Sequence, residues 1–215
     1  MYKCCMIDSY DKLTIEKAYL INDILDDGGM EEIDKQVNII AVLSDMTEDE
    51  VLDLPLSEYE TYVAQMNFLS EIPKARKRIP NRIKLGNRNY VVLKDVSKMT
   101  AGQYIDFQTY SKNNMGLEYL LSTLILPEGE KYGESDTEEV ISEIRKNMTF
   151  SIALDITSFF QRALLRSIKI TLIYLGWKMR MLSKANPEMK MKLTEVRKRI
   201  MEMEHMLPNG DGSFL

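Results

Sequence analysis

Two segments of the chain, residues 13–69 and 99–160, read as diverged copies of one helical unit. Each copy opens with a threonine before a short helix that carries a tyrosine, and continues into an apolar run. Each then has an acidic Thr-Glu start with Glu-Val and closes with an apolar helix ending in an aromatic side chain. A repeat constrains the architecture more than any single motif. Because no catalytic residue type recurs at one place in both copies, the repeat favours packing and partner binding over chemistry.

Helix signals dominate, so the predicted fold class is mainly α, a multi-helix protein with one small β-hairpin and a long C-terminal helix pair. Helices are expected from Thr14, over 31–44, from Thr100, over 115–126 with a stop at Pro127, and from residue 136 or 137 to about 147. The apolar face predicted for the helix over 31–44 comprises Ile33, Val37, Ile40 and Leu43. Three capping boxes, each a Ser or Thr followed three residues later by Glu or Gln, predict helix starts. The pairs are Thr47 with Glu50, Ser57 with Glu60, and Thr100 with Gln103.

The strand signal lies at about residues 82–94. Ile83 and Leu85 alternate with polar residues, a turn follows at Gly86-Asn87-Arg88, and residues 90–93 are apolar. This pattern predicts a small β-hairpin. Because a hairpin of this size is not stable alone, it is expected to lie against helices.

The last third of the chain predicts a long helix over about 149–184, a break at Asn186-Pro187, and a final helix over 188–206. Apolar residues of the final helix recur at alternating spacings of four and three, which is typical of a heptad seam. This seam is the candidate partner-binding surface; the alternative is buried core. Its members are Met189, Leu193, Val196, Ile200 and Met203.

The expected organisation has five parts, of which two overlap. They are an acidic helical unit (1–71), a basic linker with the β-hairpin (72–98), a second, diverged helical unit (99–161), the long helix with the C-terminal helix (150–207), and a flexible tail (208–215).

Charge is distributed unevenly behind a net charge of −5. Residues 1–71 carry 17 Asp and Glu against four Lys, whereas residues 72–98 carry nine Lys and Arg against one acid. Such blocks indicate acidic and basic parts that face each other, within the fold or between subunits. Nucleic-acid binding is the alternative, although residues 72–89 lack the aromatic side chains of a single-strand binder. The candidate basic patch comprises Lys74, Arg76, Lys77, Arg78 and Arg82.

Sites for chemistry are not evident in the sequence. His205 is the single histidine, the adjacent Cys4 and Cys5 form no metal or redox motif, and no phosphate-binding loop is present. We therefore expect no enzyme activity, no cofactor and no metal. No apolar stretch reaches the roughly 20 residues of a membrane span. A signal-peptide core is missing, so a reducing cytosol is the expected location.

The segment Ile40 to Tyr59 resembles a signature of the tail assembly chaperones of tailed bacteriophages, including the Mu-like and related groups. Their pattern is an apolar helix, a capped turn with Thr or Ser and acids, and then Leu-Pro-Leu before an acid and an aromatic. The likeness continues to Phe68-Leu69, and residues 83–107 resemble the strand pair and the following Thr-Ala-Gly-Gln-Tyr-Ile-Asp-Phe of the same proteins. In that family the hairpin generally precedes the Leu-Pro-Leu helix; here it follows, which a duplication would explain.

The resemblance implies a non-enzymatic phage protein that keeps the long, largely helical tape measure protein soluble during assembly in the host cytoplasm. Apolar helix faces would cover the partner's apolar stripe. One alternative is a structural or cargo protein of the virion, at the head–tail junction. A second is a nucleic-acid-binding accessory protein. A homo-oligomer is compatible with each of these functions.

Overall fold

The computed structural model of the chain describes residues 6–71, 73, 75–76, 78–113, 115–164 and 198. Its architecture is mainly helical with a small three-stranded antiparallel sheet, which confirms the predicted fold class. The helices are α1 (Ile15–Asp26), α2 (Glu32–Ser44), α3 (Glu48–Leu52), α4 (Leu56–Gln65), α5 (Ala101–Lys112), α6 (Leu117–Leu124), α7 (Thr137–Asn147) and α8 (residues 150–164), and the strands are β1 (Arg82–Leu85), β2 (Arg88–Val92) and β3 (Ile125–Pro127).

Local side-chain capping explains where α1, α3 and α5 begin. The hydroxyls of Thr14, Thr47 and Thr100 accept hydrogen bonds from the backbone N–H groups of the first turns of α1, α3 and α5. The capping boxes predicted at Thr47 and Thr100 are both present. The one predicted at Ser57 is wrong: α4 begins at Leu56, after Pro55, so Ser57 already lies inside the helix.

The sheet contains the predicted hairpin and one strand that the sequence did not reveal. Strands β1 and β2 pair antiparallel through a two-residue turn, in which Gly86 adopts a φ of +53° that suits glycine. Strand β3 pairs with β2, with Val92 opposite Ile125. The helix expected over 115–126 therefore ends at Leu124. Its last residues become extended because residues before a proline avoid the helical region, and pairing with β2 supplies their backbone partners.

The largest core cluster joins elements from both halves of the chain. Ile15 of α1 is buried together with side chains of the sheet, of α5 to α8 and of the segment before β1. The other buried members are Ile79, Ile83, Leu85, Tyr90, Val92, Phe107, Leu121, Leu124, Ile125, Val140, Ile144, Met148, Ala153, Ile156 and Phe160. Helix α1 thus packs on both helical units that the sequence suggested.

Backbone hydrogen bonds join the starts of α1 and α8. The Ile15 N–H donates to the Met148 carbonyl at 3.1 Å, and the Phe150 N–H donates to the Leu13 carbonyl at 2.7 Å. Thr14 and Thr149 form the isolated antiparallel bridge between these bonds. The two helices therefore begin side by side, although the segments are far apart in sequence.

The first four helices also enclose smaller clusters of their own. On α2, Val37, Ile40 and Leu43 are buried as the apolar periodicity predicts. The prediction that Ile33 belongs to the same buried face is wrong, because Ile33 lies in the first turn of α2 and is exposed. The predicted long helix is confirmed from residue 150 to 164; its continuation and, apart from residue 198, the predicted final helix lie outside the described residues.

Candidate protein-binding groove

The sequence-predicted seam, Met189, Leu193, Val196, Ile200 and Met203, lies outside the described residues, as do Lys74 and Lys77 of the basic patch. His205, Cys4 and Cys5 lie outside them as well. Arg76, Arg78 and Arg82 are described, so the structure shows what surrounds three members of the predicted basic patch.

Arg76 binds Asp155, a buried residue of α8. The Arg76 backbone N–H donates to Asp155 Oδ1 at 2.5 Å, and its Nε lies 3.2 Å from Asp155 Oδ2. The same guanidinium donates to Ser151 Oγ at 2.8 Å and bonds to Asp11. Because Arg76 supplies both main-chain and side-chain donors to a carboxylate removed from water, it is part of the fold's own polar structure.

Arg82 forms an ion pair at the surface, with its Nη2 2.7 Å from Glu128 Oε1. Arg78 is exposed. Two of the three described patch members therefore face carboxylates of the same chain. Of these carboxylates, Asp11 belongs to the acidic unit, whereas Glu128 and Asp155 belong to the second half of the chain.

A second polar contact, partly buried, joins the two halves, and nothing in the sequence pattern indicated it. The Tyr19 hydroxyl of α1 donates to Glu118 Oε2 of α6 at 2.8 Å and accepts from the Leu117 N–H at 2.6 Å. Burial raises the pKa of the Tyr19 phenol well above its usual range, and the Glu118 carboxylate acts in the same direction. The phenol therefore remains a hydrogen-bond donor, so this contact is structural.

An open groove lies between α1 and α2 and is bounded at one end by the start of α3. Its volume is about 380 Å³. Four apolar side chains from α1, α2 and the segment after α2 line it, together with five polar or charged side chains. The lining residues are Lys17, Leu20, Asn38, Ala41, Val42, Asp45, Met46, Thr47 and Glu48.

Asp45 shapes the end of this groove. It terminates α2 in the left-handed conformation, with φ of +56°, which aspartate tolerates better than most residues. The resulting bend lets Thr47 start α3 immediately, through its capping box with Glu50. Lys17 Nζ of α1 lies 2.7 Å from Asp45 Oδ1, which links the two walls. The groove is thus formed by backbone turns and one ion pair.

Leu20 is an exposed apolar side chain of the groove, so another molecule can contact it. Its side chain is 48% exposed although it lies among Ala41, Val42 and Met46. Apolar side chains exposed in a groove between helices commonly bind the apolar face of another helix. The same unit exposes Leu52 and Leu56, which are 67% and 71% exposed on either side of the Leu54-Pro55 turn.

Among the described residues, no group of three or more His, Cys, Asp or Glu is arranged to hold a metal ion. Within the same residues, none of the helices is long and apolar enough to cross a membrane. The sequence matches no protein-family model, and no curated protein and no solved structure is significantly similar to it.

Proposed function

We propose that this chain is a non-enzymatic phage protein, similar to tail assembly chaperones, that binds a helical partner through apolar helix faces. The partner would be the tape measure protein. One observation carries the proposal: six of the nine groove-lining residues fall within the segment 40–59, whose sequence resembles that of the tail assembly chaperones. The exposed Leu52 and Leu56 lie in the same segment.

The physics of such a function is simple. Before assembly, a long helical chain exposes an apolar stripe, and the chain aggregates unless another surface covers that stripe. Burying one leucine or valine side chain stabilises a complex by roughly 1.5–3 kcal/mol. A groove of about 380 Å³ accepts few side chains. Several grooves, supplied by several chaperone molecules, would therefore cover a long partner reversibly.

Co-expression with the tape measure protein of the same phage tests the proposal. The tape measure protein should be largely insoluble alone and should become soluble, and co-purify, in the presence of this chain. Leu20→Lys should reduce the co-purified amount, because it replaces an apolar contact of the groove with a charge. An unchanged soluble fraction in the presence of the wild-type chain would refute the proposal.

Mass spectrometry of purified virions distinguishes the structural alternative. A chaperone acts before the tail is complete, so its peptides should be absent from the particle. A fixed copy number per virion would instead identify a structural or cargo protein.

A further inference from the structure

We propose that the groove between α1 and α2 selects a helical segment whose apolar stripe is flanked by lysine and arginine. The proposal rests on the proposed function and adds the chemistry of the partner segment. Apolar contacts with Leu20, Val42 and Met46 would provide the binding energy. Carboxylates around the groove would select the charge of the segment's flanks.

The α1 wall is acidic on the face that carries Leu20. Glu16 lies four residues before Leu20 and Asp23 lies three residues after it, so both are one turn away on the same helix face. Asp23 is exposed and Glu16 is half-buried. A segment that contacts Leu20 would therefore lie close to carboxylates on both sides of that residue along α1.

The α2 wall and the start of α3 continue this pattern. Asp34 precedes the groove-lining Asn38 by one helical turn and is exposed. Asp45 and Glu48 line the groove and are exposed. Carboxylates thus stand on both walls and at the end of the groove, on three different helical segments.

The lysines of the acidic unit do not cancel this charge. Residues 1–71 contain no arginine and four lysines, of which three are described. Lys17 Nζ lies 2.7 Å from Asp45 Oδ1, Lys12 Nζ lies 2.8 Å from Asp8 Oδ1, and Lys35 Nζ donates to the Leu25 carbonyl at 2.8 Å. Since Lys17 is the single lysine in the groove lining, the groove and its surroundings keep a net negative charge.

The carboxylates around the groove would determine which partner segments bind. Complementary charges accelerate encounter and disfavour partners of the same sign, while the apolar contacts hold the complex. Exposed charges are screened by salt. The preference for a basic segment should therefore shrink as ionic strength rises, whereas the apolar part of the affinity should persist.

Fluorescence anisotropy on the full-length protein tests the proposal with three labelled synthetic peptides. Each peptide is an amphipathic helix of about 18 residues with the same leucine stripe, flanked by lysine, glutamine or glutamate. The lysine peptide should bind about tenfold more tightly than the glutamine peptide at low salt, and the glutamate peptide should bind least. The ratio of the affinities of the lysine and glutamine peptides should fall several-fold at 0.5 M salt.

Matched variants test whether the peptides bind in the groove between α1 and α2. Leu20→Gln should weaken the lysine peptide about tenfold, whereas Leu25→Gln should not, although Leu25 lies on the same helix and is similarly exposed at 51%. Glu48→Gln should reduce the lysine-over-glutamine preference more than Glu60→Gln, which removes one exposed carboxylate from α4. Circular dichroism melts of all four variants establish that they fold.

Three outcomes would overturn the inference. The first is equal affinity for the lysine and glutamine peptides. The second is an equal loss of affinity for the lysine peptide in Leu20→Gln and Leu25→Gln. The third is self-association, seen in sedimentation and abolished by Leu20→Gln, because a second copy of the chain would then occupy the groove. Failure of the proposed function is separate: the peptides would bind as expected while the tape measure protein would not be solubilised. Solubilisation without charge preference would instead defeat this inference alone.

Discussion

The Tyr19 hydroxyl lies 2.8 Å from Glu118 Oε2, in a contact that joins the first helix of the chain to α6. The same oxygen accepts the Leu117 N–H, so one phenol satisfies two groups at the start of α6. Glu118 is almost completely buried, which makes the loss of a partner costly.

Replacing Tyr19 with phenylalanine should destabilise the fold. The change leaves the Leu117 N–H without this acceptor and Glu118 without this donor, and we expect a loss of about 1–3 kcal/mol in the free energy of unfolding. Urea denaturation followed by circular dichroism measures it. The matched control is Tyr104→Phe, which removes a hydroxyl from an exposed tyrosine of α5 and should change stability by less than about 0.5 kcal/mol. Equal effects of both variants would contradict the prediction.

Gly116 should be intolerant of a side chain because of the same carboxylate. A Cβ atom at this position would lie 2.6 Å from Glu118 Oε2, so the carboxylate would have to leave Tyr19. Gly116→Ala should cost about 1–2 kcal/mol, and in a double-mutant cycle with Tyr19→Phe the two losses should be less than additive. Gly28→Ala is the control, since a Cβ there meets nothing within 4 Å. Strict additivity would show that the two positions act independently.

Arg76 should matter for stability, whereas Arg78 should not. Arg76→Ala removes the guanidinium from buried Asp155 while the backbone N–H remains, so we expect a loss of about 1–3 kcal/mol. Arg78→Ala removes the same charge from an exposed position and should stay within about 0.5 kcal/mol. Guanidinium chloride is itself a salt, so urea is the suitable denaturant. A loss that disappears in 0.5 M sodium chloride would assign Arg76 to surface electrostatics instead.

Stability should decline in alkaline solution through the tyrosines. Burial raises the pKa of the Tyr132 phenol well above its usual range, and the bonded Asp106 acts in the same direction, with its Oδ2 2.6 Å from the hydroxyl. A folded-state pKa above the unfolded value stabilises the fold fully below about pH 10, and this contribution is lost as pH rises further. Unfolding free energies measured from pH 8 to 11.5 should therefore fall less in Tyr132→Phe than in the wild type. The exposed Tyr104→Phe should retain the wild-type slope; a shared slope in all three proteins would exclude this mechanism.

Local interactions explain why the starts of α1, α3 and α5 were predictable from the sequence. Thr14, Thr47 and Thr100 bond to N–H groups within the next three residues, so the chain neighbours determine the outcome. The β1–β2 hairpin was predictable for the same reason, because its turn spans two residues.

Features that depend on distant partners could not be predicted in this way. Residues 125–127 carry the same kind of apolar sequence as the helix before them, and only pairing with β2 makes them a strand. The groove needs α1 beside α2 and a left-handed Asp45, neither of which has a sequence signature here. Buried Glu118 and Asp155 look like ordinary surface acids until their donors, 99 and 79 positions away, are brought to them.

The hydrogen-bonded bridge between Thr14 and Thr149 has a practical consequence for recombinant work. Residues 10 to 15 form backbone hydrogen bonds with residues 148 to 151, so they support a helix that begins more than a hundred positions later. A shortened version that starts after residue 15 would lack the backbone hydrogen bonds that residues 10–15 form with residues 148–151. Truncations designed to isolate the C-terminal half should therefore retain residues 10–15, or supply them as part of a separate peptide.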